Sequence, residues 1–168
     1  DYLFTGREPA RRGNAANSRS PAAGNFPCRD GIISLGVNEE CQFRNLARVL
    51  GRECWLSDER FASRSARRKA AAAFEEELCE VLKTRTAGEW ETVLQAGGVP
   101  AAKLRSLPES LDMQHVKDRR FIHECADGSS VPTLPFRFDG NEAFSPTSSP
   151  PVLGQHSEKV LRSLKDGN

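Results

Sequence analysis

The sequence predicts an α+β fold, a small antiparallel sheet packed with helices and flanked by extended N- and C-terminal arms. Three observations carry that prediction. Short apolar runs bounded by turn residues, "GIISL" and "VPAAKL", read as strands that must pair with one another to persist. Stretches with apolar residues at helical spacing open on capping residues and close on glycine. Both ends of the chain are crowded with Gly, Pro, Asn and Ser and lose periodicity.

Taken in order, residues 1–27 read as a linker or arm that carries Arg7, Arg11, Arg12 and Arg19. Asp30-Gly31 forms a turn, Ile32 to Leu35 a short buried strand, and Gly36 breaks it. Asn38 suits the N-cap of the helix that follows, with Glu39 and Glu40 in its first turn, where the helix dipole favours them. Phe43, Leu46, Ala47 and Leu50 recur along that helix until Gly51 ends it. A long helix is expected over 65–85, with Phe74, Leu78, Val81 and Leu82 as its apolar stripe. Its charges run against the dipole, Arg67, Arg68 and Lys69 early and Glu75 to Glu77 later. Either the helix starts after the basic cluster or that cluster meets an acidic partner.

Thr86 and Glu89 of "TAGEW" have capping-box spacing and open a helix using Trp90, Val93 and Leu94, which Gly97-Gly98 stops. Ser106 and Glu109 repeat the device around Pro108, which predicts short helices within 107–118. "FIHEC" and "SSVPTLPFRF" flank an Asp127-Gly128 turn as a hairpin. Residues 139–151 read as a surface connector, and "GQHSEKVLRSL" as a glycine turn at Gly154 running into an amphipathic helix with Ser157 or a neighbour as cap. The sequence thus divides into an arm at 1–27, an α+β domain at 28–140, and a connector with a C-terminal helix at 141–168.

Of 168 residues, 24 are Lys or Arg and 23 Asp or Glu, so the net charge of +1 gives no reason to expect nucleic acid or an anionic membrane as partner. No apolar run approaches the ~20 residues that span a bilayer. The start, "DYLFTGREPARRGN", lacks both an initiator Met and a secretory pattern, so the chain reads as part of something larger. Cys28, Cys41, Cys54, Cys79 and Cys125 are odd in number and free of any C-x-x-C pair, which points to reduced thiols in a cytoplasmic protein.

Several residues invite chemistry. His123, Glu124 and Cys125 suggest a metal, but the second His of an H-E-x-x-H helix is missing, and alternation along a strand sends His123 and Glu124 to opposite faces. No metal ligand is assigned. A Cys–His nucleophile pair has no third, orienting group signalled. The N-terminal arginines match phosphate oxygens in geometry, yet only Tyr2 and Phe4 supply aromatics beside them, and a solvated linker accounts for them as well. Gly36, Val37 and Asn38 bring backbone N–H groups to a helix start, where an anionic or carbonyl ligand could sit; an ordinary strand-to-helix turn explains the same three residues.

Read together, "RRGN" at 11–14, "DGIISLGVN" at 30–38, "DERFASRSARR" at 58–68, "RTAGEW" at 85–90, "AGGVPAAKL" at 96–104 and "SPTSSPPVLGQHSEKVL" at 145–161 resemble the class III CoA transferases, the CaiB/BaiF family. The resemblance covers the chain from about Gly6 to Leu164. It implies the linker, the small α+β domain and the start of the C-terminal return of an enzyme that moves CoA between carboxylic acids, or, in racemase-like relatives, isomerises acyl-CoA; a standalone binding module that keeps the small-domain fold without the chemistry is the other reading. It implies acyl-CoA and a carboxylic acid as substrates, no covalently bound cofactor, a large nucleotide-fold domain as partner, and an interlocked homodimer. The family's nucleophilic aspartate belongs to the large domain, so no aspartate of this chain is named as catalytic. Residues Gly36, Val37 and Asn38 are then expected to bind substrate, with backbone groups facing the acyl part. His156, which at first sight is a candidate base, becomes part of the joint where the chain leaves the small domain.

Overall fold

The computed structural model of the chain describes residues 2–8, 11, 13–14, 16–125, 127–138, 140–142 and 151–166. It is α+β and divides into two compact units, Asp1–Leu104 and Arg105–Asn168. The span expected as one domain, 28–140, falls across both. The proline-rich stretch 143–150 and Arg12 lie outside the described residues.

The first unit begins with a single exposed turn, α1 (Tyr2–Thr5). Its sheet is formed by β1 (Ala23–Pro27), β2 (Ile32–Gly36) and, far along the chain, β3 (Ala101–Lys103), in the order β1-β2-β3 and antiparallel throughout. Burial follows the two-residue period of a pleated strand: Ile33 and Leu35 of β2 are buried, while Ile32 is exposed. Register sets Phe26 opposite Ile33, and Leu35 opposite Ala101.

Strand β1 corrects the reading of 1–27 as a linker throughout. "AGNFP" has little strand propensity, and its outer edge is closed by a side chain. The Asn14 amide donates to the Asn25 carbonyl and accepts from its N–H, both at 2.8 Å, as a neighbouring strand would. Pro27 is tolerated because β1 is an edge strand.

Between β2 and β3 lie α2 (Glu40–Val49), a 3₁₀ turn at Glu53–Leu56, α3 (Arg64–Lys69), α4 (Ala71–Leu82) and α5 (Ala87–Ala96). The N-cap of α2 is Glu39 and not Asn38; the Asn38 side chain is turned back to the Gly36 carbonyl at 3.1 Å. At the other end Gly51 adopts φ +64°, and its N–H and that of Arg52 bond the carbonyls of Arg48 and Ala47, a glycine C-terminal cap.

The expected helix over 65–85 is two helices. Ala70, at φ −100° and ψ 28°, separates α3 from α4. Ser63 caps α3 by accepting the Ala66 N–H at 3.1 Å, so Arg67, Arg68 and Lys69 fall in a last turn, where the dipole favours cations. Both alternatives offered by the sequence hold in part, because Arg67 also meets an acid. Only 5% exposed, Arg67 donates to the Phe61 carbonyl at 2.7 Å and to the Glu40 carboxylate, and its guanidinium lies 3.7 Å from the centroid of the Phe43 ring.

The core joins the buried faces of sheet and helices into one cluster. Phe74 sits at its centre, with ring centroids of Trp55, Phe61 and Phe43 at 5.0, 5.4 and 5.8 Å. The buried indoles have partners: Trp90 donates to the Leu82 carbonyl and Trp55 to the Glu77 carboxylate, each at 2.8 Å. The capping box on α5 forms as expected, and the Asp30 carboxylate accepts the Ala87 N–H at 2.7 Å, tying the β1–β2 turn to the helix start. Gly97 ends α5 so close to α2 that a Cβ there would stand 2.3 Å from Cγ2 of Val49.

The second unit holds α6 (Leu107–Leu111), α7 (Gln114–Asp118), the expected hairpin β4 (Ile122–Glu124) with β5 (Ser130–Pro132), a further pair β6 (Arg137–Phe138) with β7 (Asn141–Glu142), and α8 (Ser157–Asp166). Ser106 and Glu109 form their capping box on α6. Among the described residues of this unit, Cys125 is the one that is fully buried.

Candidate functional site

Gly36, Val37 and Asn38 form the corner at which β2 turns into α2. Gly36 does not break the strand: it is the last residue of β2 and pairs with Ala23. A Cβ on it would stand 3.3 Å from Cβ of Pro100, so glycine allows the segment entering β3 to come close. The Gly36 N–H donates to the Pro100 carbonyl at 2.9 Å. The Val37 N–H donates to Ala22 at 3.3 Å, and its carbonyl accepts the Ser20 hydroxyl at 2.6 Å. The Asn38 N–H donates to Oε1 of Gln42 at 2.8 Å, and the same oxygen accepts the Glu39 N–H at 2.9 Å.

None of the three amides is therefore free to hold a carbonyl. Neighbouring elements supply the acceptor for each N–H, so what the corner could offer a ligand is its surface and not these three donors. Val37 itself is 1% exposed and belongs to the core. What the corner presents outward is the half-exposed surface of Gly36 and Asn38, on a rigid support. Asn38 Oδ1 is buried and has no hydrogen-bond partner among the described residues.

The other residues singled out by sequence are dispersed. His123 and Glu124 lie in β4 opposite Val131 and Ser130, and both line a cavity of about 500 Å³ in the second unit with Leu111, Val116 and Lys117. Cys125 is buried next to them, its N–H bonded to the Ser129 carbonyl. His156 is exposed just before α8, and its carbonyl accepts the Val160 N–H at 3.0 Å, which makes it, and not Ser157, the residue at the helix start. Arg19 has a left-handed backbone, φ +56°, and lines a groove of about 710 Å³ in the first unit with Arg68, whose guanidinium donates to the Ser18 carbonyl at 2.7 Å.

Burial pushes the Cys28 and Cys79 thiols above their ordinary range, which keeps them in the unreactive thiol form. Sequence reasoning missed Ser20 and Gln42 as supports of the corner. For Gln42 a signal existed: it stands three residues after the N-cap, at capping-box spacing.

The model of CoA-transferase family III matches residues 1–157. The chain belongs to that family. It is 31% identical, over 98% of its length, to the succinate–glutarate CoA-transferase of Agrobacterium fabrum, and 27% identical over 98% to the succinyl-CoA–D-citramalate CoA-transferase of Chloroflexus aurantiacus. It spans 42% of each of those two relatives. Among solved structures it is similar to a CaiB/BaiF family protein from Brucella suis, with a TM-score of 0.84 and 28% identity over 97% of this chain and 42% of that one. Among the described residues, no helix of this family member is long and apolar enough to cross a membrane.

Proposed function

We propose that this chain is the linker, small domain and C-terminal return of a longer family III CoA-transferase, which moves CoA between carboxylic acids through a carboxylate nucleophile of the large domain. The observation that carries the reading is the pattern of coverage: 98% of this chain aligns with 42% of a succinate–glutarate CoA-transferase. The transferase names of the relatives support transfer over the racemase-like alternative, and they favour a dicarboxylic acyl donor such as succinyl-CoA. CoA enters and leaves as a thioester substrate, with no covalently bound cofactor. The working enzyme is a cytoplasmic, interlocked homodimer.

In this reading the Gly36–Asn38 corner is one wall of the acyl pocket, and its contribution is shape. Its amides are spent on Pro100, Ala22 and Gln42, so the developing charge on the thioester is met by donors of the large domain. The face of α8 carrying Val160, Leu161 and Leu164, which are 53, 59 and 68% exposed, is the surface that the large domain covers.

The test is a transfer assay with succinyl-CoA and glutarate, run on the chain alone and on the chain joined to a large domain. The chain alone is expected to be inactive and the joined protein active. Turnover by the chain alone, abolished by a point substitution within it, would overturn the reading.

A further inference from the structure

The corner at Gly36–Asn38 is pinned by three neighbouring segments and by its own Asn38 side chain. Gly36 is tied to the segment before β3, Val37 to the segment before β1, and Asn38 to α2, while the Asn38 side chain closes back on the Gly36 carbonyl. Most of these bonds run between backbone groups, or within the corner itself. Two are made by side chains from outside it: the Ser20 hydroxyl on the Val37 carbonyl, at 2.6 Å, and the Gln42 amide oxygen on the N–H groups of Asn38 and Glu39, at 2.8 and 2.9 Å.

We propose that Gln42 and Ser20 are positioning residues that hold the Gly36–Asn38 corner in one conformation for the acyl-CoA; the functional half of this inference rests on the reading of the corner as a wall of the acyl pocket. Gln42 has the larger part. Its single oxygen satisfies two consecutive N–H groups where the chain passes from strand to helix, so its loss frees two donors together and unfastens the start of α2 from the end of β2. Ser20 acts from the opposite side, and fixes the carbonyl between those donors and β2. Neither side chain needs to touch the substrate. Their effect is on where Gly36 and Asn38 stand, and a displacement of about 1 Å at a wall is enough to cost binding of a reacting group.

The experiment compares Gln42→Leu, which removes the acceptor at similar volume, with Gln42→Glu, which keeps an acceptor in the same place. Two readouts are taken on the chain joined to its large domain: amide hydrogen exchange at residues 38 and 39, and steady-state kinetics with succinyl-CoA. Gln42→Leu is expected to speed exchange at both amides about tenfold and to raise KM for succinyl-CoA with kcat little changed, and Gln42→Glu to restore both. Unchanged exchange in Gln42→Leu overturns the positioning role whatever the kinetics show. Faster exchange with an unchanged KM overturns the link to substrate and, with it, the placement of the corner at the acyl group. Should Gln42→Leu not fold, Ser20→Ala carries the same test, read as faster exchange at Val37 and Asn38 with a raised KM, and a corner indifferent to Ser20→Ala would overturn the proposal.

Discussion

In Asp1–Leu104, sheet and helices close their apolar faces on one another around Phe74, and Arg67, the one buried cation among the described residues, is matched by Glu40, the Phe61 carbonyl and the Phe43 ring. In Arg105–Asn168 the elements are as well specified locally, with a capping box on α6, a tight turn through Gly128 and a glycine turn at Gly154, yet Cys125 alone is fully buried among the described residues. The difference separates two things that sequence patterns run together. Caps and turns decide where an element begins and ends; burial decides whether it has something to stand on. The first unit has both. The second has the caps and an apolar helix face, and its Val152, Leu153, Val160, Leu161 and Leu164 are exposed.

The comparison is broken most readily at Phe74. Replacing it by Ala removes the ring on which Trp55, Phe61 and Phe43 pack, and is expected to cost about 3–5 kcal/mol, enough to unfold the first unit in denaturant titration. The same kind of truncation on α8, Leu164→Ala, is expected to stay within about 0.5 kcal/mol in the chain alone, since it empties no core. A near-neutral Phe74→Ala would mean that the first unit is not held by its aromatic cluster.

Arg67→Met comes next. It leaves a cavity-matching side chain but strips the Phe61 carbonyl of its donor and Glu40 of its cation. Because Glu40 is close to half exposed, part of the loss is screened, and about 2–3 kcal/mol is expected from chemical unfolding.

Acid gives the smallest effect and touches both units. Hydrogen bonds from Arg60 hold Asp58 below the usual carboxylate range, the Thr86 N–H does so for Glu89, and the Lys117 ammonium for Asp112. Each group takes up a proton less readily folded than unfolded. Its contribution is therefore complete above the ordinary carboxylate range, about pH 4, and is lost as pH falls through the lowered folded values. Glu89 and Asp112 are exposed and Asp58 is partly so, and a gentle fall in Tm below about pH 4 is expected, without a step near neutrality.

Much of the first unit was legible because its signals are local: Gly51 and Gly97 as stops, Thr86 with Glu89 as a start, and Ile32 to Leu35 as a strand, although Ile32 proves exposed where the whole run was expected to be buried. What escaped was decided at a distance. Strand β1 is made by its pairing with β2 and by Asn14 eleven residues before Asn25, neither of which "AGNFP" announces. No Gly or Pro marks the break at Ala70; the basic cluster running against the dipole was the one local sign of a helix start after Lys69. The candidate site was legible as a place and not as a chemistry. That Gly36, Val37 and Asn38 form the corner follows from strand, turn and helix in order. That their amides are taken depends on Pro100, Ala22 and Gln42, which only the tertiary fold brings there.

The first unit holds its own core, and the second is proposed to be finished by a large domain. Hydrogen exchange of the 168-residue chain, measured alone and joined to that domain, tests it most directly. Equal protection of β2 and α4 is expected in the two states, with at least about tenfold slower exchange over α8 in the joined protein. Equal exchange over α8 in both states would contradict the proposal.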